Sequence, residues 1–393
     1  MNKEIKIIKK DGSTEKWNFD KVLSAVAKAS DRAGITKDIS TKLLKALSPY
    51  IEKYNEIRTR DVHKFVIKAL RDISQNKVAD AYQEYRDYKT SYCKEFEGLK
   101  EEADRVIYLG DNENANFDSS LISTKGSLIK GYLTKSLYKK FYLSKEEKLA
   151  TKVGYIYIHD LRDMILGSIN CCLFDMGNVL KGGFEMSNVK YTEPKSVLTA
   201  LQVIGDITLV ASAQQFGGFT IPEIDKILLP YCKKSYANWL TKLKNYGVGS
   251  AEDKAYNEVL RELMQGFQSL ELKLNTVPSS RGDFAFTTLT FGHIPEDYAL
   301  EDRRWMYEIG RAVLDTRIKG HGGHRVVFPK LVFLYDSKLC HDLSYNELLF
   351  NEAVKCSSKC MYPDYLSLDG GSERNLVHYV YTHGGKITSG MGK

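Results

Sequence analysis

The chain has 393 residues, 43% apolar and 27% charged, long enough for two or more domains and ordinary for a globular protein. No window is apolar enough to span a bilayer, and the charged start "MNKEIKIIKKDG" lacks the core of a secretion signal, so a cytoplasmic protein without a membrane partner is expected. The whole net charge of +7 lies in the first hundred residues, dispersed over helices, which favours a small phosphorylated ligand over a nucleic-acid duplex.

In chain order, "IKIIKK" and "TEKWNF" flank Asp11-Gly12, a two-residue hairpin signal. Val22, Ala25, Val26, Ala29 and Ala33 then mark one helix face, stopped by Gly34. Thr59 has the chemistry of an N-cap for a helix burying Val62, Phe65, Val66, Ala69 and Ile73. A polar, tyrosine-rich helix follows from Val78 to about Lys100, and the charge break places a domain boundary near residue 100. Beyond it, "YIYIH" (155–159), "INCCLF" (169–174), "FAFTTLTF" (284–291) and "VVFPKLVFLY" (326–335) read as strands. Helices fill roughly 196–213, 222–243, 252–273, 301–317 and 344–358. This alternation predicts a largely parallel α/β sheet or barrel, with functional groups at strand ends.

Seven cysteines, odd in number and scattered, read as reduced thiols rather than a disulfide framework. Cys171 and Cys172 adjoin in a predicted strand, where alternation sends them to opposite faces. A small apolar core residue is the plain reading of either one. "HGGH" (321–324) and the Cys356/Cys360 pair each offer two ligands where a structural zinc needs four, so no metal site is assigned. His159-Asp160 reads as a structural hydrogen bond, and Asn112, Glu113 and Asn114 as a polar network.

Residues 3–90, through "IIKKDGSTEKWNFDKV", "IRTRDVHKFVIKAL" and "AYQEYRDYK", resemble an ATP-cone, a small β lid on a helical bundle that senses nucleotides. Lys9, Lys10 and Lys21 put positive charge beside a hairpin and a helix start, and Thr59 and His63 lie four apart at a helix N-terminus, where free N–H groups favour phosphate. Asn18 is a candidate for base or ribose, with Arg86 and Lys89 as weaker ones. The ligand implied is ATP or dATP with magnesium.

The remainder resembles the large subunit of anaerobic, glycyl-radical (class III) ribonucleoside-triphosphate reductases. "NENANFDSS", "YIYIHD", "INCCLFDMGNVLKGGFEM", "SAQQFGGFTIPEIDKILLPY", "LNTVPSSRGDFAFTTLTFG", "FPKLVFLYD" and "SKCMYPDYLS" carry the likeness, in the family's order, over residues 111–367. The resemblance implies a cone over residues 1–95 and the first half of a ten-stranded α/β barrel over 100–393. It also implies the reaction: a thiyl radical takes the ribose 3′-hydrogen, the 2′-hydroxyl leaves as water, and a thiol on the other face donates hydrogen. By register Cys171 fits the reducing thiol, with Cys172 as the alternative. Gln214, Gln215, Gly217 and Gly218 are candidates to approach ribose or phosphate, with packing as the equal alternative.

The family's radical-bearing cysteine lies in a "PMGCR" pattern, whereas this sequence reads "GKITSGMGK", with Met391 and Gly392 matching and Lys393 in the cysteine's place. The expectation is therefore an N-terminal portion, inactive alone. The radical glycine and zinc site would belong to a C-terminal half, with a radical S-adenosylmethionine activase as a further partner and a homo-oligomer as the assembly. A pure nucleotide-sensing regulator and a non-catalytic remnant are the competing readings. Sensors with a cone carry a zinc ribbon ahead of it and have no use for the long α/β portion.

Overall fold

The computed structural model describes residues 5–9, 11–109, 118, 120–167, 169–186, 188–215, 217–247, 249–279 and 282–369. Lys10, the Asn112–Asn114 group and the Met391–Lys393 end lie outside these residues. The chain divides into two units, Met1–Glu101 and Glu102–Lys393.

In the first unit the order is β1 (Lys6–Ile8), β2 (Thr14–Lys16), α1 (Phe19–Arg32), α2 (Ser40–Ile51), β3 (Glu56–Arg58), α3 (Thr59–Asp72) and α4 (Asn76–Tyr108), which runs past the unit boundary. β1 pairs antiparallel with β2 and parallel with β3. The connection between β1 and β2 is longer than the two residues expected. Lys9 N–H donates to Ser13 O, Asp11 accepts from the Ser13 amide and hydroxyl, and Gly12 takes φ +82°. The lid covers a core of Val26, Leu43, Leu47, Val66 and Leu70, each contributing about 1.5–3 kcal/mol by burial. α2, unassigned by the sequence reading, supplies two of these residues.

The second unit opens with α5 (Ile122–Leu137) and α6 (Lys145–Lys152), the latter held by a capping box between Ser144 and Glu147. Then follow β4 (Cys172–Leu173), α7 (Met176–Leu180), the hairpin β5 (Phe184–Met186) and β6 (Val189–Tyr191), α8 (Val197–Ser212), β7 (Phe219–Ile221), α9 (Ile224–Asn245) and α10 (Ala251–Thr276). β8 (Thr287–Phe291), α11 (Leu300–Lys319), β9 (Lys330–Tyr335), α12 (Tyr345–Cys360) and β10 (Asp364–Ser367) complete the described part. None of the described helices is long and apolar enough to cross a membrane.

The sheet order β10-β9-β8-β7-β4 is parallel throughout and follows the chain without reversal. Right-handed crossovers in one direction put every connecting helix on one face, as in a barrel. Phe219, Ile221, Leu289, Phe291, Leu331 and Phe333 point to that face and form the core with the helices. Thr220, Thr288 and Thr290 alternate with them and belong to the opposite, inner face. Five parallel strands stand among the described residues.

One predicted strand is absent. "YIYIH" has no partner strand among the described residues; Tyr155 N–H and Ile156 N–H bond back to Ala150 O and close α6, leaving Tyr155 and Tyr157 exposed. An alternating pattern forms a strand only where a neighbour takes its backbone groups. "INCCLF" shortens to a two-residue strand, for a reason that bears on the site.

Candidate functional site

In the cone, register gathers the predicted ligand residues. Pairing Ile8 with Arg58 sets the end of β1 beside the start of α3, and Thr59 Oγ1 donates to Ile8 O at 3.1 Å. Thr59 is thus the first helical residue rather than the cap, a place held by Arg58. Its hydroxyl ties lid to helix. Asn18 does cap a helix: its side-chain oxygen accepts from Asp20 N–H at 2.8 Å at the start of α1, so that oxygen is already engaged.

Lys9 Nζ and Lys21 Nζ meet on one carboxylate, Glu15 Oε2, at 3.0 and 2.7 Å. The Lys21 hydrogen bond, then that of Lys9, holds the Glu15 carboxyl below its ordinary range. Glu15 escaped the sequence reading, although its place in "TEKW", six residues before Lys21, was a signal. His63 Nδ1 lies 2.7 Å from the Tyr82 hydroxyl. Burial pushes the Tyr82 phenol up to about 12, and the positive charge of Arg86 nearby works against that rise. His63, Tyr82 and Arg86 form one half-buried group; Lys89 is exposed further along α4.

In the sheet unit the two cysteines separate as alternation requires. Cys172 packs against the helix-side core, and burial, then the neighbouring Cys171, pushes its thiol up. Cys171 is exposed on the other side. Its sulfur accepts the Gly218 N–H at 3.3 Å and donates to Asn170 Oδ1 at 3.4 Å.

This arrangement arises from a register irregularity. Ile169 bridges Gln215 while Cys172 pairs with Phe219, so the 215–219 segment carries one residue more than the segment it faces. The extra residue interrupts the ladder, shortens the strand and turns backbone groups toward the sulfur, as bulges near functional groups do. Gly217 sits at this point, its N–H on Asn170 O at 2.6 Å. A Cβ there would lie 2.1 Å from Asn170 Oδ1, 2.5 Å from Asn170 O and 2.7 Å from Cys171 Sγ, so only glycine fits.

Of the four residues expected to approach ribose or phosphate, or else to pack, Gln215, Gly217 and Gly218 lie in the segment that faces Cys171. Gly217 and Gly218 touch its segment directly. Gln215 is buried, with its side-chain amide spent on Gly217 O and Gly218 O, so that amide is not turned toward a ligand. Gln214 is exposed at the end of α8, apart from this set. Asn170 was missed; only the three-dimensional register reveals its two roles. His159 Nε2 lies 3.0 Å from Asp160 Oδ2, and Asp160 has φ +50°, a local arrangement apart from the thiol set.

Comparison with known proteins follows the same division. The family profile described as anaerobic ribonucleoside-triphosphate reductase matches residues 113–391, and that of the ATP cone domain matches residues 5–91. The anaerobic ribonucleoside-triphosphate reductase of Haemophilus influenzae is 32% identical over 385 residues, covering 92% of this chain and 52% of the relative. That of Enterobacteria phage T4 is 33% identical over 279 residues, covering 70% of this chain and 44% of the relative. Among solved structures, the anaerobic ribonucleotide reductase from Thermotoga maritima in complex with dATP and CTP covers 70% of this chain and 50% of its own, at 20% identity and a TM-score of 0.47. The chain spans about half the length of the curated relatives it matches. With the reductase profile extending over most of its residues, the chain belongs to the anaerobic ribonucleoside-triphosphate reductase family and carries an ATP cone domain ahead of the reductase sheet.

Proposed function

We propose that this chain supplies the nucleotide-regulated, reducing-thiol portion of an enzyme that converts ribonucleoside triphosphates to deoxyribonucleoside triphosphates. The carrying observation is Cys171: exposed, set apart from its core-packed neighbour, and held by a backbone N–H at a bulged sheet edge within the family-matched region. A thiol suits this role because its S–H bond is weak and its sulfur shares electrons readily with another sulfur or an external reductant. Cys171 gives a hydrogen atom to the ribose carbon that has lost its 2′-hydroxyl, together with a proton, as water, and the external reductant then restores the S–H bond. Gly217 lets the facing segment pack directly against Asn170 and Cys171, and Gly218 supplies the N–H that holds the sulfur. The glycyl radical, formed by a radical S-adenosylmethionine activase, supplies the initiating one-electron chemistry from the part of the relatives' length that this chain does not span.

Lys9 and Lys21 take the phosphates of ATP or dATP with magnesium, exchanging Glu15 for the ligand, while Thr59 and His63 mark the helix end beside it. The assembled enzyme is a homo-oligomer acting in the cytoplasm. The test combines this chain with the remaining reductase polypeptide, activase, reductant and CTP under anaerobic conditions. Formation of dCTP that responds to ATP and dATP is the expected result; an active assembly indifferent to both nucleotides removes the regulatory role of the cone.

A further inference from the structure

We infer that Gln215 is a positioning residue that aims the Gly218 N–H at the Cys171 sulfur; the inference rests on the reading of Cys171 as the reducing thiol. Gln215 is 2% exposed, and its Nε2 donates to Gly217 O at 3.1 Å and to Gly218 O at 2.6 Å. Gly217 O and Gly218 N belong to the same peptide unit, which is planar, so their directions are locked to each other. Gripping the carbonyl on one edge therefore fixes the N–H on the opposite edge, and that N–H reaches Cys171 Sγ at 3.3 Å. The second grip, on Gly218 O, is shared with Cys172 N–H at 3.0 Å and anchors the next peptide to the strand.

The bulge makes this device necessary. In a regular ladder, the neighbouring strand would orient each peptide, but one extra residue between Gln215 and Phe219 breaks that pattern beside the thiol. The facing segment holds the flanking groups, through Gly217 N–H on Asn170 O and Cys172 N–H on Gly218 O. The glycine–glycine peptide between them is gripped at Gly217 O by the Gln215 amide, a side chain that does there what register does elsewhere. A buried primary amide is suited to this, since it has two N–H donors on one nitrogen and bears no charge. An N–H donated to sulfur also stabilises negative charge developing there, so its orientation sets the reactivity of the thiol.

The test reads Cys171 directly in the full chain, by iodoacetamide labelling at one pH with site-resolved mass spectrometry. Gln215→Leu and Gln215→Glu, which both lose the amide donors, should slow labelling of Cys171 by about threefold or more while leaving exposed Cys93 unchanged. Buried Cys232 reports folding in the same samples by staying unlabelled. An unchanged Cys171 rate in either folded variant overturns the inference. So does a Gly218 amide that exchanges with solvent at the unprotected rate in the native chain, a measurement that needs no substitution. In the assembled reductase, the variants should lower kcat with KM for CTP held within about twofold, whereas a raised KM alone would mean that Gln215 contacts substrate. The labelling and exchange readouts require no turnover, so they fail or succeed separately from the reductase reading.

Discussion

In the cone, Lys9 and Lys21 reach out to one exposed carboxylate, Glu15; in the sheet unit, a buried amide, Gln215, grips two backbone carbonyls beneath an exposed thiol. Long charged side chains paired at a surface are held weakly and exchange partners readily, because water and salt screen them. Such an arrangement suits a ligand that comes and goes. Hydrogen bonds among buried backbone groups are costly to break, so the thiol keeps one setting. The sensing region and the chemical region thus differ in how firmly they hold their functional groups, and substitutions should expose that difference.

The largest effect is expected at the thiol. In the assembled reductase, Cys171→Ser should bring deoxyribonucleotide formation to background, while Cys172→Ser should retain part of it, because its side chain packs toward the helix-side core. Loss with Cys172→Ser and survival with Cys171→Ser would reverse the faces assigned to the two thiols.

Next comes the cone. Lys9→Ala combined with Lys21→Ala removes the two exposed cations that pair with Glu15. Solvent-screened charge contacts are worth up to about 1 kcal/mol each, so ATP affinity should fall by about tenfold or more. Calorimetry on the full chain measures this, and native binding should weaken as salt rises. Wild-type affinity in the double variant would place the phosphates elsewhere.

Two glycines sharpen the contrast further. Gly217→Ala forces a methyl into Asn170 and Cys171, and overpacking of this kind costs about 1–3 kcal/mol. Gly12→Ala meets open space but must hold φ +82°, which costs about 1 kcal/mol or somewhat more. Chemical unfolding should therefore rank Gly217→Ala as the more damaging, and only that variant should also alter Cys171 labelling. Equal cost with unaltered labelling would mean that the bulge relaxes around the new methyl.

Much of this contrast was legible in the sequence where a short-range period governs. The helices α8 to α12 lie within a few residues of their expected spans, because each repeats apolar residues on a face that packs against the sheet. The separation of Cys171 from Cys172 followed from alternation alone. Legibility failed where the outcome depends on distant partners. "YIYIH" alternates correctly yet spends its first amides on Ala150. α2 contains Pro49 and went unassigned; α5 has few buried positions to mark a face. Gln215 carries the same amide whether it meets a ligand or a peptide, and only the bulged register decides between them.

The last prediction separates the units by pH. In the cone, Glu15, Asp11 and Asp38 have carboxyls held below their ordinary range by hydrogen bonds, so their contributions exist at neutral pH and disappear as pH falls through those lowered values. Asp225 at the start of α9 behaves oppositely. Burial raises its carboxyl from 3.8 to about 6, against the opposing pull of the Gly292 N–H that it accepts at 2.8 Å. Between those values the folded state binds more protons than the unfolded one, so this group's contribution declines as pH rises, by at most about 1.4 kcal/mol per pH unit. Asp225→Asn keeps an acceptor for Gly292 and removes the charge. The stability of the native chain relative to this variant should therefore fall from pH 4 to pH 6 and level off above, followed by the fluorescence of Trp239 and Trp305. The matching comparison for Glu15→Gln, read at Trp17, should run the other way, with the native advantage growing as pH rises. A flat Asp225 comparison would mean that its carboxyl finds enough polar contact to ionise normally; it would also remove the electrostatic difference between a surface built to exchange ions and a strand end built to exclude them.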